Sequence, residues 1–143
     1  MMKRVLRTCV ACMMILALSG CGTRKQQIMK LSLDSNPTTG YSWTVTQEPE
    51  LFNVGEEYLE NSHEEGMTGV GGQQVFSLAP KEAGTTEVTF TYARPWEDPE
   101  ADSTVVSYTV EISKDMKIKV TASRFAGGDD INVLPQIPEP EIK

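Results

Sequence analysis

The chain of 143 residues predicts an all-β fold, a sandwich or a barrel. Three observations predict it. Apolar residues recur at every second position in several separate stretches, clusters of Gly, Pro, Asn and Asp punctuate them, and no helical apolar stripe occurs anywhere. A period of two sends alternate side chains to opposite faces of a strand, so each stretch has one face for the core and one for water. Short strands at regular spacing with such punctuation build two-sheet or closed antiparallel architectures.

The elements follow in order. Met29, Leu31 and Leu33 alternate with Lys30, Ser32 and Asp34, which predicts the first strand. Tyr41, Trp43 and Val45 alternate with Ser42, Thr44 and Thr46, and Trp43 on the apolar face reads as core. Shorter apolar pieces at residues 51–54, 58–59 and 75–78 are needed to complete two sheets. Val88, Phe90 and Tyr92 form a further strand, as do Val106, Tyr108, Val110 and Ile112. Met116, Ile118 and Val120 alternate with Lys117 and Lys119 after a turn at Lys114-Asp115, predicting a last strand. The domain thus spans residues 26–122. Residues 123–143, with Gly127-Gly128-Asp129-Asp130 and three prolines, read as a flexible tail.

The N-terminus has a different pattern. Lys3, Arg4 and Arg7 precede an apolar run over residues 10–18, and Leu18-Ser19-Gly20-Cys21 closes it. This is the form of a secretory signal over residues 1–20, with an apolar stretch too short to span a bilayer. The ending resembles a bacterial lipobox, which implies that Cys21 is acylated and becomes the first mature residue, with residues 21–25 as a tether. An exported protein held at the bacterial cell membrane is therefore expected. Gly22 is not the aspartate associated with inner-membrane retention, so an outer membrane is favoured where there is one. Cys9 and Cys12 lie in the segment to be removed, so the mature chain has Cys21 alone and no disulfide.

Composition excludes several functions. The net charge is −7, and residues 1–20 carry three basic residues and no acidic one, so the remainder is more acidic still. Nucleic-acid binding needs the opposite sign to neutralise phosphates. His63 is the single histidine, and with no mature thiol but Cys21 the chain lacks a zinc ligand set. Glu56, Glu57, Glu60, Glu64 and Glu65 lack calcium-loop spacing and read as a solvated edge. Nothing resembles a nucleophile elbow. No enzyme, cofactor or metal is expected.

Three loops stand out. In the first, Asn36-Pro37-Thr38-Thr39-Gly40, Pro37 fixes its own φ and holds Asn36 extended, while Gly40 is free to take a positive φ. A stiff turn presenting two threonine hydroxyls is expected. The second, Gly66-Met67-Thr68-Gly69-Val70-Gly71-Gly72, is glycine-rich, flexible when free, and open to close approach by another backbone. The third, Arg94-Pro95-Trp96-Glu97-Asp98-Pro99, sets an indole in a proline-stiffened loop, a suitable shape for a binding hot spot. Any one alone reads as an ordinary sandwich turn.

Together and in this order they resemble the chagasin family of cysteine-peptidase inhibitors. Asn36-Pro37-Thr38-Thr39-Gly40-Tyr41-Ser42-Trp43 is similar to that family's first loop and following strand, Gly69-Val70-Gly71-Gly72 to its second loop, and Arg94-Pro95-Trp96 to its third. The resemblance covers residues 26–113. It implies an immunoglobulin-like antiparallel β-sandwich with three binding loops at one end, and a monomer that blocks papain-like peptidases reversibly and competitively. Thr38 and Thr39 would sit over the catalytic cysteine. Gly69, Val70, Gly71 and Gly72 would pair with the non-primed side, and Arg94 and Trp96 would cover the primed side. The chain departs from the family in lacking room for a strand ahead of Leu31, and residues 116–121 are expected to fill that edge. The alternative is an immunoglobulin-like envelope module for another ligand, which would have no need of both the threonine pair and the loop tryptophan.

Overall fold

Alternation along each strand becomes two facing sheets once the apolar sides are paired. The computed structural model describes residues 25–62, 71–98, 103–127 and 137–143. The leader, Cys21, His63, Glu64, Glu65, residues 66–68, Gly69, Val70, Pro99 and residues 128–136 lie outside the described residues. Among the described residues eight strands follow in order: β1 (Met29–Ser35), β2 (Ser42–Glu48), β3 (Phe52–Glu60), β4 (Gly72–Pro80), β5 (Gly84–Ala93), β6 (Thr104–Ile112), β7 (Ile118–Ala126) and β8 (Glu141–Ile142). One sheet has the order β3-β4-β1-β8 and the other β2-β5-β6-β7, with antiparallel pairing throughout.

The predicted inward residues meet between the sheets. Met29, Leu31 and Leu33 from β1 and Phe76 and Leu78 from β4 face Trp43, Val88, Phe90, Val106, Tyr108 and Val110, all buried. Phe76 and Phe90 meet edge to face with centroids 5.1 Å apart, and Phe90 meets Tyr108 likewise at 6.1 Å. Each such ring contributes roughly 1.5–3 kcal/mol by leaving water. The short apolar pieces at 51–54 and 58–59 share one strand, β3, with Leu51 just ahead of it. It is an edge strand exposed beyond Phe52, and Glu56, Glu57 and Glu60 lie on it among the exposed residues.

Two readings of the C-terminal part are corrected. Met116 is not in a strand. It adopts φ 59° in a turn closed by Met116 N to Ser113 O at 2.9 Å and Ser113 N to Lys117 O at 2.9 Å. The strand begins at Ile118 and runs to Ala126, past the boundary expected at residue 122. A register shift opposite Thr109 and Val110 leaves Thr121 as an extra residue, so the inward parity passes from Ile118 and Val120 to Ser123 and Phe125. A bulge inverts the faces of everything beyond it, and this broke the period that a sequence reading follows.

The end of the tail is also ordered. Glu141–Ile142 pairs with Lys30 and Met29 of β1, Ile28 and Lys143 exchange main-chain bonds at 2.9 and 3.1 Å, and Ile137 packs on the core. Of residues 116–121, expected at the edge beside β1, residues 118–121 lie in β7 at the edge beside β6, and the edge beside β1 is taken by β8. Prolines suit such a segment, since an edge strand needs few donors.

Candidate functional site

The loops joining β1 to β2, β3 to β4, and β5 to β6 all emerge at one end of the sandwich, because antiparallel pairing brings Ser35 opposite Gly72 and Ser42 opposite Ala93. The first loop is a single 3₁₀ turn, Pro37–Thr39, with proline at its start. Asn36 stands before it at φ −130° and ψ 88°, outside the helical region as a residue before proline must. Thr39 N donates to Asn36 O at 3.1 Å and Gly40 N to Pro37 O at 2.9 Å, and Gly40 closes the turn at φ 84°. Glycine takes that conformation without the penalty a Cβ brings.

Thr38 and Thr39 are exposed, yet neither hydroxyl is idle. Thr38 Oγ1 donates to Asn36 Oδ1, and Thr39 Oγ1 to Asn36 O at 2.6 Å. A hydroxyl has one hydrogen, so both oxygens offer a partner their lone pairs. Asn36 organises the loop from below and is itself held, its N–H donating to the Tyr92 hydroxyl at 3.2 Å.

The third loop leans on the first. Arg94 Nε donates to Thr39 O at 3.2 Å, its Nη1 meets Glu97 Oε1 at 2.9 Å, and its guanidinium lies 4.5 Å from the centroid of Tyr41. Below it, Tyr41 stacks on Tyr92 at 5.3 Å and Tyr92 meets Trp43 at a tilt with centroids 4.9 Å apart, a column of rings from surface to core. Trp96 is 70% exposed. Its inner edge rests on Gly40, where a Cβ would come within 2.5 Å of Cη2. Gly40 therefore serves twice, in its φ and in the space it leaves.

Of the second loop, Gly71 and Gly72 are described. Gly71 O accepts from Asn61 N at 3.1 Å, closing the hairpin base, and a Cβ on Gly71 would stand 3.3 Å from Ser35 O. Gly72 is buried, and a Cβ there would collide with Tyr58 and the Leu59 carbonyl. The structure thus brings together Asn36, Pro37, Thr38, Thr39, Gly40, Tyr41, Arg94, Pro95 and Trp96, with Gly71 and Gly72 against the flank of the first loop.

Two supporting residues were missed by the sequence reading. Gln74, 5% exposed, accepts from Ser35 Oγ and Trp43 N, both at 2.8 Å, and donates to Trp43 O at 3.1 Å and Glu56 Oε1 at 2.8 Å. It ties β1, β3 and β4 to β2 just beneath the first two loops. A buried amide with both ends satisfied fixes relative position in a way apolar packing does not. The only signal in sequence is a polar residue at an inward position of the 75–78 strand. Tyr92 was read as core, but its hydroxyl reaches the first loop. Among the described residues, no group of three His, Cys, Asp or Glu is placed to hold a metal.

Residues 23–112 match the family model described as chagasin family peptidase inhibitor I42. The chain is 36% identical over 83 residues to chagasin of Trypanosoma cruzi, covering 54% of this chain and 74% of that protein. It is 30% identical over 86 residues to amoebiasin-2 of Entamoeba histolytica, covering 59% and 70%. Among solved structures, the solution structure of amebosin is similar at 29% identity and TM-score 0.50, over 60% of this chain and 80% of that one. The cysteine protease inhibitor EhICP2 of Entamoeba histolytica is 32% identical at TM-score 0.44, over 50% of this chain and 65% of that one. Strands β7 and β8 lie beyond the matched span.

Proposed function

The chain belongs to the chagasin family of peptidase inhibitors, and from that premise we propose that it closes the cleft of papain-like cysteine peptidases with its three loops. It is a cysteine-peptidase inhibitor and not an enzyme. The observation that carries the three-loop reading is the contact of the first loop with the third: exposed Thr38 and Thr39 stand beside an exposed Trp96 whose edge rests on Gly40. The threonines would lie over the catalytic cysteine, their oxygens accepting from donors of the peptidase. A turn closed by internal hydrogen bonds offers no aligned scissile carbonyl there. Trp96 would bury its free face on the primed side, and the glycine loop would pair main chain to main chain on the other. A rigid first loop lowers the ordering cost of association.

The test is a titration of papain and a cathepsin L-type enzyme with the protein, read by hydrolysis of a small fluorogenic substrate. Competitive inhibition at nanomolar levels is expected. Thr38→Ala combined with Thr39→Ala should weaken it while leaving the melting temperature in place. No inhibition at micromolar levels by folded protein would turn the loops over to another ligand.

We also propose that the inhibitor is exported, acts as a monomer, and is held at the membrane by lipid on Cys21. The sequence from Lys3 to Cys21 supports this, as does the entry of the chain into β1 at the end opposite the loops. A strand of that length would hold the loops about 20 Å from the tethered end. Cys21→Ser should release the protein from membranes on fractionation, and labelled palmitate should no longer be incorporated.

A further inference from the structure

The arginine of the third loop is turned toward its own molecule. Its Nε bonds the Thr39 carbonyl, its Nη1 the Glu97 carboxylate, and the guanidinium sits over Tyr41. The peptide unit joining Thr39 to Gly40 is consequently held at both ends, since its N–H donates to Pro37 O and its C=O accepts from Arg94. That unit is the weak point of the turn. It adjoins a glycine at φ 84°, and glycine populates either sign of φ, so a flip of this peptide meets little steric resistance. A flip would carry the Thr39 backbone and the seat of Trp96 with it, because the indole rests on Gly40.

Resting on the three-loop reading above, we infer that Arg94 is a positioning residue: it presets the first loop for the cleft through Thr39 and Tyr41 instead of covering the primed side itself. Glu97 has the subordinate part of orienting the guanidinium, and its N–H to Arg94 O bond at 3.2 Å places the two in one turn. Lysine cannot take over the role. A single ammonium lacks the planar fork that bonds a carbonyl along one edge while lying flat on a ring.

The experiment compares the full chain with its Arg94→Lys and Glu97→Gln variants, each alone and with Thr38→Ala and Thr39→Ala. Three quantities are read: the inhibition constant for papain, the melting temperature, and amide exchange at Gly40 and Tyr41 in the free protein. Arg94→Lys should weaken inhibition about tenfold or more, the size expected for a lost charged hydrogen bond. The melting temperature should hold and exchange at Gly40 should quicken. Glu97→Gln should move both in the same direction by less. In the threonine-to-alanine background the effect of Arg94→Lys should shrink, since both act through one loop. Unchanged exchange at Gly40, or a full effect of Arg94→Lys in that background, overturns the inference and makes Arg94 a direct contact. Should the unmodified chain fail to inhibit at all, the three-loop reading is what falls, and exchange at Gly40 still reports whether Arg94 holds the turn.

Discussion

The two ends of the sandwich are finished in different ways. At the loop end, strands are tied off by side chains: Arg94 on Tyr41 and Thr39, Tyr92 on Asn36, Gln74 on Ser35 and Trp43. At the opposite end, main-chain groups and short turns close the edges. There Ile28 pairs with Lys143, Lys81 N reaches Leu51 O at 2.9 Å, and Ser113 pairs with Lys117. Side chains help there too: Gln47 Oε1 accepts from Leu51 N and Phe52 N at 3.0 and 2.9 Å to close the corner between β2 and β3, Gln27 Oε1 accepts from Ile118 N at 2.8 Å, and Thr86 Oγ1 donates to Pro49 O at 2.6 Å. What differs is what the bonds serve: at the base they close sheet edges and corners, whereas at the loop end the side-chain ties fix how exposed loops are presented. The difference separates what stabilises the domain from what directs it at a partner.

Substitutions at the two ends should therefore have separable effects. The largest is expected from Trp96→Ala, which removes an exposed indole from the proposed interface. A loss of about 3 kcal/mol in binding to papain is expected, as for other tryptophan hot spots, roughly a hundredfold in the inhibition constant. Its melting temperature should stay within about 2 °C, because the ring is mostly in water already. Differential scanning calorimetry beside the inhibition assay decides it, and a matching fall in stability would erase the distinction.

Deleting residues 137–143 makes the converse test. It exposes the edge of β1, uncovers the core under Ile137 and leaves Tyr108 without its Pro138 partner. A loss of about 2–3 kcal/mol in folding stability is expected from those contacts. That should lower the melting temperature by about 10 °C or more. The inhibition constant at 25 °C should be nearly unaffected. Weakened inhibition by protein that is still folded would mean that the base influences the loops.

Gln74→Met is the substitution that should defeat the separation, since that amide belongs both to the core and to the footing of two loops. Leaving the Trp43 main chain and the Ser35 hydroxyl without their partner is expected to cost about 2 kcal/mol in stability and to weaken inhibition as well. Chemical denaturation and inhibition measured on the same preparation will show whether both fall together.

The smallest effect is expected from Tyr108→Phe, about 1 kcal/mol for the bond to Pro138 O. It should also alter the response to alkali. Burial pushes the Tyr108 phenol above its ordinary value of 10.0, so the unfolded chain ionises first. Stability from this group is intact below that value and declines as the pH rises past it. The phenylalanine variant should lose that part of the decline in unfolding curves taken at successive pH values.

Much of this was legible in the sequence, and the omissions have physical causes. The strands at residues 29–33 and 88–92 carry unbroken alternation, and the structure holds both as read. The last strand was cut short because a bulge at Thr121 reverses parity, which makes Phe125 seem out of phase. The first and third loops were visible because proline, glycine and tryptophan have strong local consequences. Gln74 and Tyr92 were passed over because their work is done by polar atoms whose partners lie 18 to 56 positions away.

By itself, then, the sequence determined which stretches become strands, where the turns fall and which loops carry unusual chemistry, since these follow from periodicity and from backbone restrictions within a few residues. Only the tertiary structure decided that Arg94 meets Thr39 across 55 positions, that Trp96 rests on Gly40, and that the last residues of the chain complete a sheet begun at Met29. Contacts of that kind depend on strand register and sheet order, to which no local pattern of residues corresponds.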